Sequence, residues 1–463
     1  MLDAPVKTTS ETCRVQAVSQ REPNTSSQPS SARFSADGRF LAFSSYARLA
    51  TRDTNDRSDI YVLDLATRTL TIETVLPDGT QNNADSFHPD ISDDGRFVVF
   101  ESRGRLTSAT EQQTVQQVLL RDRQLGVARV LSINRIGELG NRQSAHAVIS
   151  ADGRVAAFES GATNLLPGLD ANQAASDVYV FLLATQEILR ASVDDAGRQS
   201  ADGSSYSPSI SANGQLLAFT SSASLDREDT GQPQRLSVFV RGLTLGTTRR
   251  ITRTDGGKAN GPSYLPAISD DGRSIAFVSE ATDFVRGDKN RAADVFVHDL
   301  ETSTTTLISR SAGRESANGA STHPAISVDG QLIAFESDAS DLVCAKRCAP
   351  RDEDINLVAD VFVFDRATRV MTRISADADS GWAEPSRSPA IAGSGAVAFS
   401  SRRPTDTGDR ADDFDLFIRE SCPGGTYPQK IAGLTEQSDY SRREGGSTNE
   451  SDRPRQASTL AYQ

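Results

Sequence analysis

Three observations predict an all-β, seven-bladed β-propeller with four antiparallel strands per blade. Phe43, Phe100, Phe158, Phe219, Phe277, Phe335 and Phe399 recur at steps of 57, 58, 61, 58, 58 and 64 residues, and an internal period of this kind marks a repeat architecture. Each unit reads as four short strands: from Pro266 to Ser309, alternating or β-branched runs are broken by Gly, Asp and Asn, and no apolar run recurs at helical spacing. Finally, one such sheet cannot bury both faces alone, whereas a ring of sheets buries each face against a neighbour.

In chain order, residues 1–11 read as a flexible polar lead. Cys13–Ser19, CRVQAVS, then resembles the fourth strand of a unit, as in Thr306–Ser309 and Thr372–Ser375. Units one to six follow as Ala32–Val75, Pro89–Ser132, Ala147–Val193, Pro208–Thr252, Pro266–Ser309 and Pro324–Ser375. Unit seven supplies strands near Ser388–Ala392, Ala396–Ser401 and Asp415–Arg419, with no fourth after them. The N-terminal strand is therefore expected to close the last blade, joining two open sheet edges. Residues 12–422 make one propeller on this reading, and 423–463 a polar, disordered tail.

Loop lengths are lopsided. The first-to-second turns are tight, at Asp37-Gly38, Asp94-Gly95, Asp152-Gly153, Asn213-Gly214, Asp271-Gly272 and Asp329-Gly330, pairs that favour primed hairpin turns. Third-to-fourth turns are also short. The second-to-third and inter-blade loops are long, and in an up-and-down blade these two classes share one face. That face carries the variable polar material, so binding is expected there.

Lys+Arg of 49 against Asp+Glu of 62 leaves a net charge of −13, which argues against nucleic acid or an anionic membrane as partner. No apolar run approaches the ~18 residues of a membrane span, and Met1–Cys13 lacks the basic and apolar regions of a signal peptide. A monomer is expected.

The string P-x-I-S-x-D-G-R-x-x-A-F-x-S stands as PAISDDGRSIAFVS from Pro266, PDISDDGRFVVFES from Pro89, PAISVDGQLIAFES from Pro324 and PSISANGQLLAFTS from Pro208. It resembles the TolB-type, WD40-like propeller repeat (PD40). The resemblance covers roughly residues 13–419. It implies a propeller and, through TolB itself, a periplasmic protein-binding role beside a peptidoglycan-associated lipoprotein. The chain departs from TolB in having seven units rather than six, longer loops and no α/β domain ahead of the propeller. The partner therefore does not carry over, since fold alone does not assign function.

Two constellations could carry chemistry. Asp53-x-Asn55-x3-Asp59 precedes the third strand of unit one, and Asp288-x-Asn290-x3-Asp294 and Asp354-x-Asn356-x3-Asp360 repeat it. Asp170-x-Asn172-x4-Asp177 is one residue longer, and units two and four carry Gln117 and Ser237 before the strand instead. Such oxygens could suit Ca²⁺ as cofactor; Asp and Asn also cap loop backbone N–H groups, which accounts for the same pattern. His88, His146 and His323 occupy one equivalent position, just before a first strand that lines the central channel. Propeller pectate-type lyases hold a divalent metal with histidines near that place, and imidazole suits such metals. Blades two, three and six spread the three around the ring, too far apart for shared ligand bonds of ~2.0–2.2 Å; a polar strand start is the other reading. His298 lies in a third strand, apart from these.

No G-x-S-x-G elbow, P-loop or dinucleotide fingerprint occurs. Trp382, the one Trp, sits in the loop before the last blade, as a partner anchor or as packing. The lack of a catalytic set favours a non-enzymatic binding scaffold presenting a protein or a glycan site on the long-loop face. The alternative is a metal-dependent polysaccharide lyase or hydrolase with its site at the channel. Cys13 opens the N-terminal strand and Cys422 follows the last strand, so antiparallel pairing makes them neighbours and a disulfide is expected at the seam. Cys344 and Cys348 fit a second, local bridge. Two pairs with none left over point to the periplasm or the exterior; four reduced thiols in the cytoplasm are the rival.

Overall fold

The computed structural model describes residues 15–17, 32–76, 78–107, 115–173, 175–226, 235–254, 257–286, 288–311, 315–343, 358–375, 385–402 and 414–420. The chain divides into two units, Met1–Ala432 and Gly433–Gln463. All described residues lie in the first; the second, with the expected tail, lies outside them.

Seven four-stranded sheets form the blades of an all-β propeller, and no helix occurs among the described residues. Blade five is representative, with antiparallel strands Ser263–Ile268, Ser274–Ser279, Asp294–Asp299 and Thr304–Leu307 in sequential order. Blade seven takes Ser386–Ile391, Val397–Ser401 and Asp415–Arg419 from the end of the propeller. Its outermost strand is Val15–Ala17, paired Val15↔Arg419, Gln16↔Ile418 and Ala17↔Phe417. The N-terminal strand thus closes the ring, as its resemblance to a fourth strand predicts. A small extra hairpin, Arg253–Thr254 with Gly257–Lys258, stands between blades four and five.

The recurring Phe explains the packing. All seven are almost fully buried. In six blades the Phe faces an aromatic residue of the third strand in direct register: Tyr61, Tyr179, Phe239, Phe296, Phe362 or Phe417. The rings stack with centroids 5.7–6.0 Å apart, a geometry that adds to the burial itself. Blade two has Leu119 opposite Phe100. Seven apolar clusters result, each joining two adjacent blades; Val99, Val118 and Leu120 of blade two, for example, meet Ala147, Ile149 and Ala156 of blade three. The core is therefore between sheets, as a ring demands.

The tight-turn face is drawn together by the S-x-D-G string. Ser92 Oγ donates to Asp94 Oδ1 at 2.6 Å and accepts the N–H of Phe97 at 2.9 Å, and Ser269 and Ser327 repeat both bonds. Gly95 has φ +68°, and a Cβ there would lie 2.4 Å from Phe40 of the preceding blade. Backbone bonds then link neighbouring turns: Asp93 N–H to Ala151 O, Asp152 to Ala212, Ala212 to Asp270, Asp271 to Val328, and Gly393 to Ala36.

One boundary differs from the sequence reading. The first strands begin about three residues before the Pro that was expected to open them; blade five starts at Ser263, not Pro266. A bulge is the reason. Tyr264 pairs with Val278 and Ala267 with Ala276, leaving Leu265 and Pro266 opposite Phe277. A bulge tolerates the missing N–H of proline, and Ser263 and Ser279 close the strand ahead of it with an Oγ–Oγ bond of 2.9 Å.

Candidate functional site

The start of each first strand, the end of each second and the described parts of the long loops share one face of the propeller. His88, His146 and His323 sit there, within the first strands rather than before them, at the bulge. Their φ angles are 49°, 49° and 48°. Ser207, Leu265 and Ser388 take the same conformation in blades four, five and seven, so the backbone belongs to the fold and the imidazole to these three blades.

Each histidine is held by a glutamate. Nδ1 of His88 lies 2.5 Å from Glu101 Oε1, that of His146 2.9 Å from Glu159 Oε1, and that of His323 2.6 Å from Glu336 Oε1. The second oxygen of each glutamate accepts a backbone N–H from the following blade: His146 at 2.9 Å, Ser207 at 2.8 Å and Ser388 at 3.0 Å. Every such carboxylate therefore staples two blades while fixing one ring. The hydrogen bond to Glu159 raises His146 above the ordinary histidine value. Burial would raise Glu336, but the hydrogen bond and charge of His323 outweigh it and hold the carboxyl below its ordinary value.

The rings of His88 and His146 lie 4.9 Å apart. His323, in blade six, is separated from them by two intervening blades on either side. All three border a central cavity of about 460 Å³, whose wall also carries Arg33, Asp90 and Asp270. Burial pushes Asp90 and Asp270 up to about 6 each, with Asp90 contributing to the rise of Asp270. Among the described residues no group of three or more His, Cys, Asp or Glu side chains is placed to hold a metal ion. His298 is buried in its third strand beside Thr305, and burial pushes it down to about 4.

The acidic loops lie on the same face. The last Asp of each motif opens the third strand, and its Oδ1 accepts a hydroxyl from two residues past the end of the fourth: Thr74 for Asp59, Ser192 at 2.7 Å for Asp177, Ser309 at 2.6 Å for Asp294, and Ser375 at 2.5 Å for Asp360. The Asn ties the loop down, with Nδ2 of Asn55, Asn172 and Asn290 donating to Asn82 O, Gly203 O and Ala317 O. In blade one, Gln81 Nε2 donates at 2.8 Å to both Asp53 Oδ1 and Asp59 Oδ2, and Tyr61 donates to Asp53 Oδ2. In blade three, Gln199 Nε2 reaches Asp170 Oδ1 at 2.5 Å, Asn172 Oδ1 at 2.9 Å and Asp177 Oδ2 at 2.7 Å, with Arg190 beside both carboxylates. In blade six, Arg373 lies 3.4 Å from Asp360 Oδ2. Asp354 and Asn356 lie outside the described residues, as do Cys13, Cys344, Cys348, Cys422 and Trp382.

Sequence reasoning did not find Glu101, Glu159 and Glu336, although a signal was present. The string Phe-Glu-Ser occurs at 100–102, 158–160 and 335–337, in the same units that carry the histidines. The other units place Ser44, Thr220, Val278 and Ser400 after the Phe. Gln81, Gln199, Arg190 and Arg373 were missed as well.

No family model and no curated protein matches the chain. Solved structures do. The β-propeller domain of the Trilobed protease from Pyrococcus furiosus, described with an open velcro topology, is 10% identical and covers 89% of this chain and 100% of its own, with a TM-score of 0.50. Oligogalacturonate lyase from Vibrio parahaemolyticus is 13% identical over 88% of this chain and 90% of that one, with a TM-score of 0.49. TolB from Acinetobacter baumannii is 16% identical over 77% and 67%, with a TM-score of 0.40. At these identities the likeness is one of fold, and what the chain shares with the protease domain is the β-propeller.

Proposed function

We propose that this propeller is a non-enzymatic binding scaffold that engages a protein or a glycan at the channel mouth on its long-loop face. The carrying observation is the set of three imidazoles, each fixed through Nδ1 by a buried or half-buried glutamate and each bordering the central cavity. Polar groups locked before a ligand arrives lose little freedom on binding, which favours affinity. The long loops around them supply variable contacts. A His88→Ala, His146→Ala double variant tests this against a glycan panel and against envelope proteins of the native host. Binding by the unaltered protein and its loss in the variant, with the propeller still folded, is expected; equal binding by both would overturn the site.

A second reading has its own observation. An imidazole whose Nδ1 meets a carboxylate is oriented as metal-binding histidines are, and His88 and His146 are neighbours. A metal-dependent polysaccharide lyase or hydrolase is distinguished by stoichiometric transition metal in purified protein and turnover of a uronic-acid polymer, both lost in the double variant.

The periplasmic or secreted location and the bridges Cys13–Cys422 and Cys344–Cys348 belong to the same proposal. Val15, two residues after Cys13, pairs with Arg419, three residues before Cys422, which supports the first bridge. Non-reducing peptide mapping of protein from the native host decides it. Alkylatable thiols at both positions would remove the bridge and the location together.

A further inference from the structure

We infer that blade five holds one Ca²⁺ between Asp288 and Asp294. The argument rests on what the sister blades put in the same place. Gln81 and Gln199 each do two things from the inter-blade loop. Their Oε1 accepts the backbone N–H that follows the first Asp of the motif, from Thr54 and Ala171, at 2.9 Å in both blades. Their Nε2 sits between the two carboxylates and donates to Oδ1 of the first and Oδ2 of the last.

Ser316 holds the equivalent bridge position in blade five. Its Oγ accepts the Lys289 N–H at 3.0 Å, so the first task is done. The serine keeps one hydroxyl hydrogen to donate, but it has no amide to span the two carboxylates as the glutamines do. Blade five has lost the other donors too, with Phe296 where Tyr61 and Tyr179 stand and Leu307 where Arg190 stands. Lys289 turns away to Glu315, and Arg310 lies over Phe364. The two atoms that meet the glutamine amide elsewhere, Asp288 Oδ1 and Asp294 Oδ2, are buried and without a hydrogen-bond partner among the described residues. Asp288 is 8% exposed and Asp294 0%.

Two buried carboxylate oxygens without partners, at the positions that share one glutamine amide in blades one and three, need a positive charge or a proton. Oxygen donors on an aspartate–asparagine loop suit a hard cation, with backbone carbonyls and water completing the shell. With only two carboxylates the affinity belongs with the extracellular calcium modules, at a Kd of roughly 10⁻⁴–10⁻³ M.

Calorimetric titration of metal-free protein with CaCl₂ tests this, with melting followed in parallel. One site per chain is expected, together with a rise of a few degrees in melting temperature at 10 Kd or more. Asp294→Asn should abolish both. Ser316→Gln supplies the amide that blades one and three use; it should also abolish both, while the calcium-free melting temperature stays equal or rises. That variant keeps the test decisive should Asp294→Asn fail to fold. Absence of binding by the unaltered protein would overturn the assignment, leaving a proton shared between the two carboxyls. Binding that persists in Ser316→Gln would place the ion elsewhere and overturn it as well.

Discussion

Glu101 accepts the backbone N–H of His146 across a blade boundary at 2.9 Å, with a side chain only 5% exposed. Its other oxygen holds the His88 ring. Removing it therefore leaves a strained bulge without its anchor and an imidazole without its orientation. Glu101→Ala should cost on the order of 2 kcal/mol of unfolding free energy. Glu101→Gln, which keeps an acceptor, should cost less than half of that. Urea unfolding of the two variants, compared with the unaltered protein, makes the measurement; equal and negligible losses would show that the staple does not contribute.

His146 carries a pH dependence of definite sign. Its folded pKa is raised by Glu159. The stability it contributes is thus fully present below the unfolded value of about 6.5, and it is lost as pH rises through the raised folded value. Proton NMR should show a midpoint for His146 above that of an unpaired histidine, and Glu159→Gln should bring it down. A midpoint unmoved by Glu159→Gln would mean that the pairing is not the cause.

Gly95 bears two demands at once, a positive φ and the ring of Phe40 where a Cβ would stand. Ala at this position would have to move an aromatic ring in the interface between blades one and two. Gly95→Ala should destabilise by about 2–4 kcal/mol. Gly126→Ala, at φ +69° with open space around it, should cost about 1 kcal/mol, the backbone contribution alone. Thermal unfolding of the pair separates the clash from the strain.

The architecture was legible because its signals are local. Phe277 and Phe296 each sit mid-strand, and Asp271-Gly272 makes its own turn, so a window of a few residues suffices. The channel site was legible only in part. His88 and Glu101 meet because a bulge shifts the register between Phe87 and Asp90, and nothing in a strand's alternation announces a bulge. Pro89 pointed to it but was read as a strand start. Gln81 is harder still. It reaches Asp53 from an inter-blade loop 28 positions away, and Gln81, Gln199 and Ser316 look like unremarkable polar loop residues until the ring brings each beside its carboxylates.

The seam has a consequence for how the protein is made. Val15–Ala17 is the first described strand of the propeller to be synthesised, yet its strand partner among the described residues, Asp415–Arg419, is the last. Six blades can assemble in order from neighbouring sequence, each as its own strands arrive. The seventh has to wait, with an N-terminal strand that stays unpaired throughout synthesis and offers its edge to whatever it meets. A chain stopped anywhere short of residue 415 is left with that edge open, so quality control of this protein has one place to look for an unfinished ring, and it is the strand Val15–Ala17.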